Sequence, residues 1–273
     1  MRLPDRPGRW AAGALLAGVF AVSFALAQLL PHAVTPAVAQ APDPRRSGTQ
    51  DMGEALQRMQ ADDAANPAML FVQLGEQLWS RPAGTAGKAC DGCHTVADMT
   101  GVAVRYPAIP RGGDAPIDLE GRINRCRTEH QQAPALAPES RDLLALEAFV
   151  ARQSRGLPIA PPDDPRLAAV REEGAALYRL RQGQLNLSCA ICHDDNAGQK
   201  LAGVVIPQAH PTAYPIYRLE WQALGSLKRR LRNCLVGIRA EAWPLDAAPY
   251  VALEAYLMDR ARGMRYEAPG VRP

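Results

Sequence analysis

Two thiols three residues apart, followed at once by a histidine, occur twice in this chain, at Cys90-Asp91-Gly92-Cys93-His94 and at Cys189-Ala190-Ile191-Cys192-His193. Cysteines at this spacing can each add to one vinyl group of a haem, and the histidine that follows can then ligate the iron. A single copy would also fit a redox or zinc-binding CxxC. Two copies, each with its histidine, point to covalent haem, because two disulfides or two half zinc sites leave both histidines unexplained. The sequence therefore predicts two covalently bound haem c groups. Cys90, Cys93, Cys189 and Cys192 form the thioethers, and His94 and His193 are axial ligands. The group on the far side of each iron is not given by the motif.

The surroundings of the two motifs repeat as well. Gly75 and Gly174 lie 99 residues apart, as do Cys90 and Cys189. Tyr106-Pro107 matches Tyr214-Pro215 at an offset of 108, and the run ending in Cys126 matches the run ending in Cys234. Leu146-Glu147-Ala148-Phe149 matches Leu253-Glu254-Ala255-Tyr256 at 107. This is an internal duplication. Each unit reads as a helix, the CxxCH motif, an irregular loop, a cysteine and a closing helix. Leu70, Leu74 and Leu78 suggest the apolar face of the first opening helix; Leu167, Val170, Leu177 and Tyr178 suggest that of the second. Leu143, Leu146, Phe149 and Val150 fit one face of the first closing helix. A glycine repeated mid-helix costs about 1 kcal/mol against alanine and so points to close helix crossing. Little of the chain alternates with period two. The expected fold is mainly α, with two tandem cytochrome c-like haem domains at 66–157 and 165–273 and a proline-rich linker at 158–164.

The first 39 residues read as a secretory signal. Arg2, Arg6 and Arg9 make a basic start, an apolar stretch runs from Trp10 to Leu30, and Ala37-Val38-Ala39 suits cleavage. The stretch is long enough to span a bilayer. Pro31 and the Ala-x-Ala site nevertheless favour cleavage, and hence a periplasmic protein without stable membrane insertion. Residues 40–65, polar and containing Pro42 and Pro44, read as a flexible leader. The whole chain carries a formal charge of +3. Loss of residues 1–39 removes three arginines and one aspartate, leaving a nearly neutral protein that does not suit nucleic-acid binding.

Haem-c domains often use methionine or histidine as the second axial ligand. Here Met99 follows His94 by only five residues, Met258 and Met264 fall within or after the last helix, and His130 and His210 are not equivalent between the units. Cys126 and Cys234 are equivalent, and they are the cysteines left after the four thioethers. They could form a disulfide, or be inert buried thiols, or act as axial thiolates, which a ferric ion would stabilise. Repetition and position favour the third reading. Lys228, Arg229, Arg230, Arg232 and Arg239 surround Cys234. They form either a solvated basic face or an anion-attracting rim.

These residues resemble the SoxA family, in the dihaem form found in sulfur-oxidising SoxAX complexes. The resemblance covers residues 66–265. It rests on the two haem motifs, on Arg122-Ile-Asn-Arg-Cys126-Arg127, on Arg232-Asn-Cys234 with Arg239-Ala240-Glu241, and on the closing pair Gln153-Ser-Arg-Gly156 and Arg260-Ala-Arg-Gly263. It implies His94/Cys126 ligation of the first haem and His193/Cys234 ligation of the second. The second haem would be catalytic, with Cys234 able to carry a persulfide and Arg260, which takes the place of Gln153, beside it. It further implies an L-cysteine S-thiosulfotransferase that joins thiosulfate oxidatively to a cysteine of the SoxYZ carrier while electrons leave through the SoxX cytochrome. Two other classes compete. A dihaem electron-transfer cytochrome without sulfur chemistry would use methionine or histidine ligands, and a dihaem peroxidase would need one open iron.

Overall fold

The computed structural model describes residues 43–273, and from Arg45 onward they form one compact unit. The expected signal over 1–39 lies outside the described residues. Among the described residues seven α-helices carry the fold: α1 (Glu54–Ala61), α2 (Met69–Trp79), α3 (Leu119–Cys126), α4 (Arg141–Arg152), α5 (Arg166–Arg179), α6 (Leu227–Gly237) and α7 (Ala248–Arg260). Strands are short: β1 (Lys200–Leu201), β2 (Val204–Val205), β3 (Ile216–Arg218), β4 (Ala223–Gly225) and β5 (Gly270–Arg272). β1 and β2 form an antiparallel hairpin. β3 is the middle strand of a second sheet, antiparallel to β4 and parallel to β5. The molecule is thus mainly α, as expected.

The duplication is visible as two helix crossings. α2 packs on α4, and α5 packs on α7. A Cβ added at Gly75 would run into the carbonyl oxygen of Ala145, and one added at Gly174 into that of Ala252. Both glycines are there because two helix backbones touch. This also corrects the expected apolar face of α2. Leu70 is 67% exposed, and the buried stripe is Val72, Gly75 and Trp79. The glycine fixes the line of contact, and the leucines to either side fall at its edge or in solvent. In α5 the same logic buries Leu167, Gly174 and Tyr178 and leaves Val170 at the margin. The closing helix α4 buries Leu143, Leu146, Phe149 and Val150 as expected.

Two segments behave differently from the sequence expectation. From Arg45, the stretch expected to be a flexible leader is docked on the C-terminal strand. Gln60, 5% exposed, accepts hydrogen bonds at its Oε1 from the Val271 amide (3.0 Å) and from Arg272 Nη1 (2.6 Å). Ser47 and Thr49 both donate to the Glu267 carboxylate (3.0 and 2.8 Å). A polar sequence gave no apolar period to read, yet its polar groups pair with those of the far end of the chain. The linker is also held. Ile159 is 1% exposed and its amide donates to Met264 O at 2.9 Å, while the Ala160 amide donates to Val104 O at 3.0 Å.

Candidate functional site

Two equivalent helices carry the two remaining cysteines, and each helix begins with a side-chain cap. Asp118 Oδ1 accepts from the Gly121 amide (2.7 Å) at the start of α3, and Ser226 Oγ accepts from the Arg229 amide (3.1 Å) at the start of α6. Such caps satisfy amides that have no partner within the helix. Cys126 and Cys234 each lie eight residues beyond the cap, near the helix end. All six cysteines are free thiols, so the disulfide reading of Cys126 and Cys234 is not realised.

Around the first motif is a cavity of about 480 Å³ whose walls include Cys90, Cys93, His94 and Cys126. Its apolar side comes from Trp79, Leu119, Ile123, Leu146 and Val150, and Met99 and His130 also reach it. The size lies within the range of small-molecule and cofactor sites. Thiols, one imidazole and an apolar wall are the donor set that a haem requires, so the residues fit the group. Trp79 lies against the His94 ring, with centroids 6.3 Å apart, and Gln131 Nε2 is 3.8 Å from Cys90 Sγ. Burial raises the Cys126 thiol above its ordinary value, although the Arg122 charge opposes this. Burial also raises Cys90.

At the second motif, Cys192 and His193 lie in a single π-turn, Ile191–Asp195. His193 Nδ1 is 2.6 Å from Pro207 O. A carbonyl only accepts, so Nδ1 carries the proton and Nε2 is left with its lone pair, the arrangement a metal-ligating imidazole needs. Cys189 and Ala190 pack on an apolar cluster formed by Tyr178, Leu253 and Leu257, which Leu231 and Trp243 also join. Burial, with Cys234 next, pushes the Cys189 thiol up to about 11. Cys234 differs from Cys126. Burial alone would raise it, but the interaction with the His193 imidazole and the charges of Arg230 and Arg218 bring it below the usual thiol value. The structure therefore brings Cys234 within hydrogen-bonding reach of His193, with the charges of Arg230 and Arg218 acting on its sulfur.

Arg260 reaches this centre indirectly. Its Nη2 donates to Asp194 Oδ1 at 2.8 Å, which also accepts from Tyr178 OH at 2.9 Å. Further bonds go to Tyr256 OH and Gln208 O, each 3.4 Å, and none goes to Cys234. The guanidinium also lies over the Tyr178 ring, 5.0 Å from its centroid. Sequence reading missed Arg218, Asp194 and Tyr178. Tyr178 and Asp194 carried a weak signal, one at the end of an apolar stripe and one directly after the motif. Arg218 had none, because β3 brings it in from a segment without a motif.

A family model described as SoxA/TsdA, cytochrome c domain, matches residues 74–159 and 173–266. The chain belongs to the SoxA/TsdA cytochrome c family. Each matched segment contains one CxxCH motif and one of the two remaining cysteines, and membership makes haem c the cofactor. Among the SoxA relatives, the L-cysteine S-thiosulfotransferase subunit SoxA of Rhodovulum sulfidophilum is 34% identical over 90% of this chain and 86% of its own. That of Pseudaminobacter salicylatoxidans is 35% identical over 78% and 76%. The crystal structure of SoxXA from P. pantotrophus superposes with a TM-score of 0.81 at 29% identity, covering 84% of this chain and 87% of that one. Among the described residues no helix is long and apolar enough to cross a membrane.

Proposed function

We propose that this chain is the catalytic subunit of a periplasmic L-cysteine S-thiosulfotransferase. It joins thiosulfate to a cysteine thiol of a SoxYZ carrier, and a SoxX cytochrome removes the electrons. The observation that carries this reading is the second centre, where Cys234 faces His193 and lies within the charge of Arg230 and Arg218. The relatives' names and the SoxXA structure support the partner and the reaction class. Two haem groups would be held, one by Cys90 and Cys93 with His94 and Cys126 as further ligands, the other by Cys189 and Cys192 with His193 and Cys234. The domains follow the duplication, 66–157 and 165–273.

The overall change forms one bond between the sulfane sulfur of thiosulfate and the carrier sulfur. The carrier thiol gives up its proton, and two electrons leave. Haem, when bound, would supply one-electron acceptor chemistry and would polarise the sulfur of a ligating cysteine. The remaining work falls to the protein. Arg230 and Arg218 offset the negative charge of an approaching sulfur oxyanion, for which arginine forks are well matched. Their charge also favours sulfur in its anionic form, the form that exchanges sulfur groups. Asp194 and Tyr178 hold Arg260 in one orientation, so its guanidinium is pre-positioned for substrate.

The deciding experiment is Cys234→Ala, assayed for thiosulfate coupling to carrier thiol with the partner cytochrome present. Coupling should fall at least about 100-fold, the scale for losing a covalent or electrostatic catalytic group. Covalent haem content, read by mass, should be unchanged. Retained coupling would overturn the assignment of Cys234.

A further inference from the structure

Between the two repeated halves lies a small cavity of about 30 Å³, with room for one or two water molecules. Its walls are repeat-equivalent pairs: Tyr106 with Tyr214, Glu120 with Lys228, and Glu147 with Glu254. Lys228 Nζ is 2.5 Å from Glu120 Oε2, so one residue touches its own equivalent. Contacts between equivalent residues, repeated for several pairs around one cavity, are what a two-fold packing of two copies produces. The cavity therefore marks the pseudo-axis of the duplication.

The charges on this axis do not balance. α3 brings Asp118 at its cap and Glu120. α4 brings Glu147, and Glu139 precedes it. α7 brings Glu254. Against these five carboxylates α6 offers Lys228 and Arg229. Lys228 is already paired with Asp118 (2.7 Å) and Glu120, and Arg229 lies 3.7 Å from Glu139. Lys228 also acts on Glu147 and Glu254 from a distance, but among the described residues neither has an ion pair of its own. Glu120 is 3% exposed and its Oε1 has no hydrogen-bond partner; Glu147 Oε2 has none either. Glu147 and Glu254 are half-buried and both line the cavity. Among the described residues no group of three or more His, Cys, Asp or Glu is arranged to hold a metal ion. The remaining neighbours are Tyr106, Tyr214 and Tyr266, none of which supplies a positive charge.

An isolated carboxylate costs several kcal/mol to bury, and the usual remedy is to keep the proton. We propose that the seam is a pH-sensitive latch: Glu147 and Glu254 stand as carboxylic acids bonded across the cavity, directly or through one water, and their ionisation loosens the packing of the two halves.

Burial, reinforced by the neighbouring carboxylates, moves Glu147 and Glu254 well above the ordinary glutamate value, and burial pushes Glu120 up to about 7 despite Lys228. For a folded-state value raised in this way, the stabilisation is complete below the unfolded value, about 4.3, and is lost as pH rises through the folded one. The latch therefore opens on the alkaline side.

The test uses the holoprotein and the E147Q/E254Q variant. Glutamine keeps the shape and can bond across the cavity but cannot ionise. At pH 7 the infrared spectrum of the unmodified protein should show the carbonyl stretch of a protonated carboxylic acid, shifted in D2O. This signal should fade as pH is raised and be markedly weaker in the variant, where Glu120 alone contributes. The unmodified protein should lose at least about 3 °C of Tm between pH 7 and pH 9, and the variant markedly less. Absence of the protonated-acid band at pH 7 would overturn the proposal, as would equal alkaline losses in both proteins. If the double variant does not fold, E147Q and E254Q singly give the same comparison, each expected to weaken the band.

Discussion

At the scale of single residues, equivalent positions of the repeat have diverged in charge. Cys126 and Cys234 follow similar caps at the same distance, yet burial lifts the first thiol while His193, Arg230 and Arg218 bring the second below its usual value. Arg122 and Arg230 are repeat equivalents, so the difference comes from His193, from Arg218, which β3 adds to one half only, and from Glu129, whose charge holds Cys126 up. Glu120 and Lys228 have diverged more fully, to opposite signs. Had both stayed acidic, two carboxylates would meet on the axis. Lys228→Met should therefore be severe, because it strips the ion partner from buried Asp118 and Glu120. A loss of about 3–5 kcal/mol is expected at pH 8, measured by denaturant unfolding. The loss should shrink toward pH 5, since Glu120, raised to about 7, is then protonated and no longer needs the lysine.

Among the elements, the helix crossings decide which residues are core. Gly75 and Gly174 let α2 and α5 lie directly on the backbones of α4 and α7. Gly75→Ala or Gly174→Ala would gain about 1 kcal/mol of helix propensity on an isolated helix. Here each should instead give a net loss of about 1–3 kcal/mol, since a methyl group must displace a carbonyl. Equilibrium unfolding of the two single variants checks this, and a stabilised variant would contradict the close crossing. The cap of α3 does a second task. Asp118 satisfies a helix amide with one oxygen and Lys228 with the other, so the start of the cysteine-bearing helix is tied to the seam.

For the whole molecule, the polar N-terminal stretch closes the fold by joining its other end. Gln60 fills the bonding needs of β5, and Asn66 Nδ2 donates to Pro269 O at 3.1 Å. Arg155 links the first closing helix to the same region through Asp63, at 2.6 Å. A chain starting at Asn66 should fold less stably than one starting at Asp43, by about 1 kcal/mol for each buried hydrogen bond removed. Thermal unfolding of the two chains, each carrying haem, measures the difference. Equal Tm values would mean that the docked segment adds nothing.

The haem c cofactor was legible in the sequence because its covalent attachment demands a local spacing, five consecutive residues that no tertiary contact can supply. The duplication was legible for a similar reason, since copied segments keep their spacing wherever they fold. The leucine stripe of α2 misled because periodicity gives the apolar residues but not the line along which two backbones touch; Gly75 set that line. The leader looked free because its partners, Glu267, Val271 and Arg272, stand more than 200 residues away. What only the tertiary structure decided is electrostatic: which arginines face Cys234, and that five carboxylates meet two cations on the pseudo-axis. Charge interactions act through space and depend on burial, and neither distance nor burial is written in the order of residues along a chain.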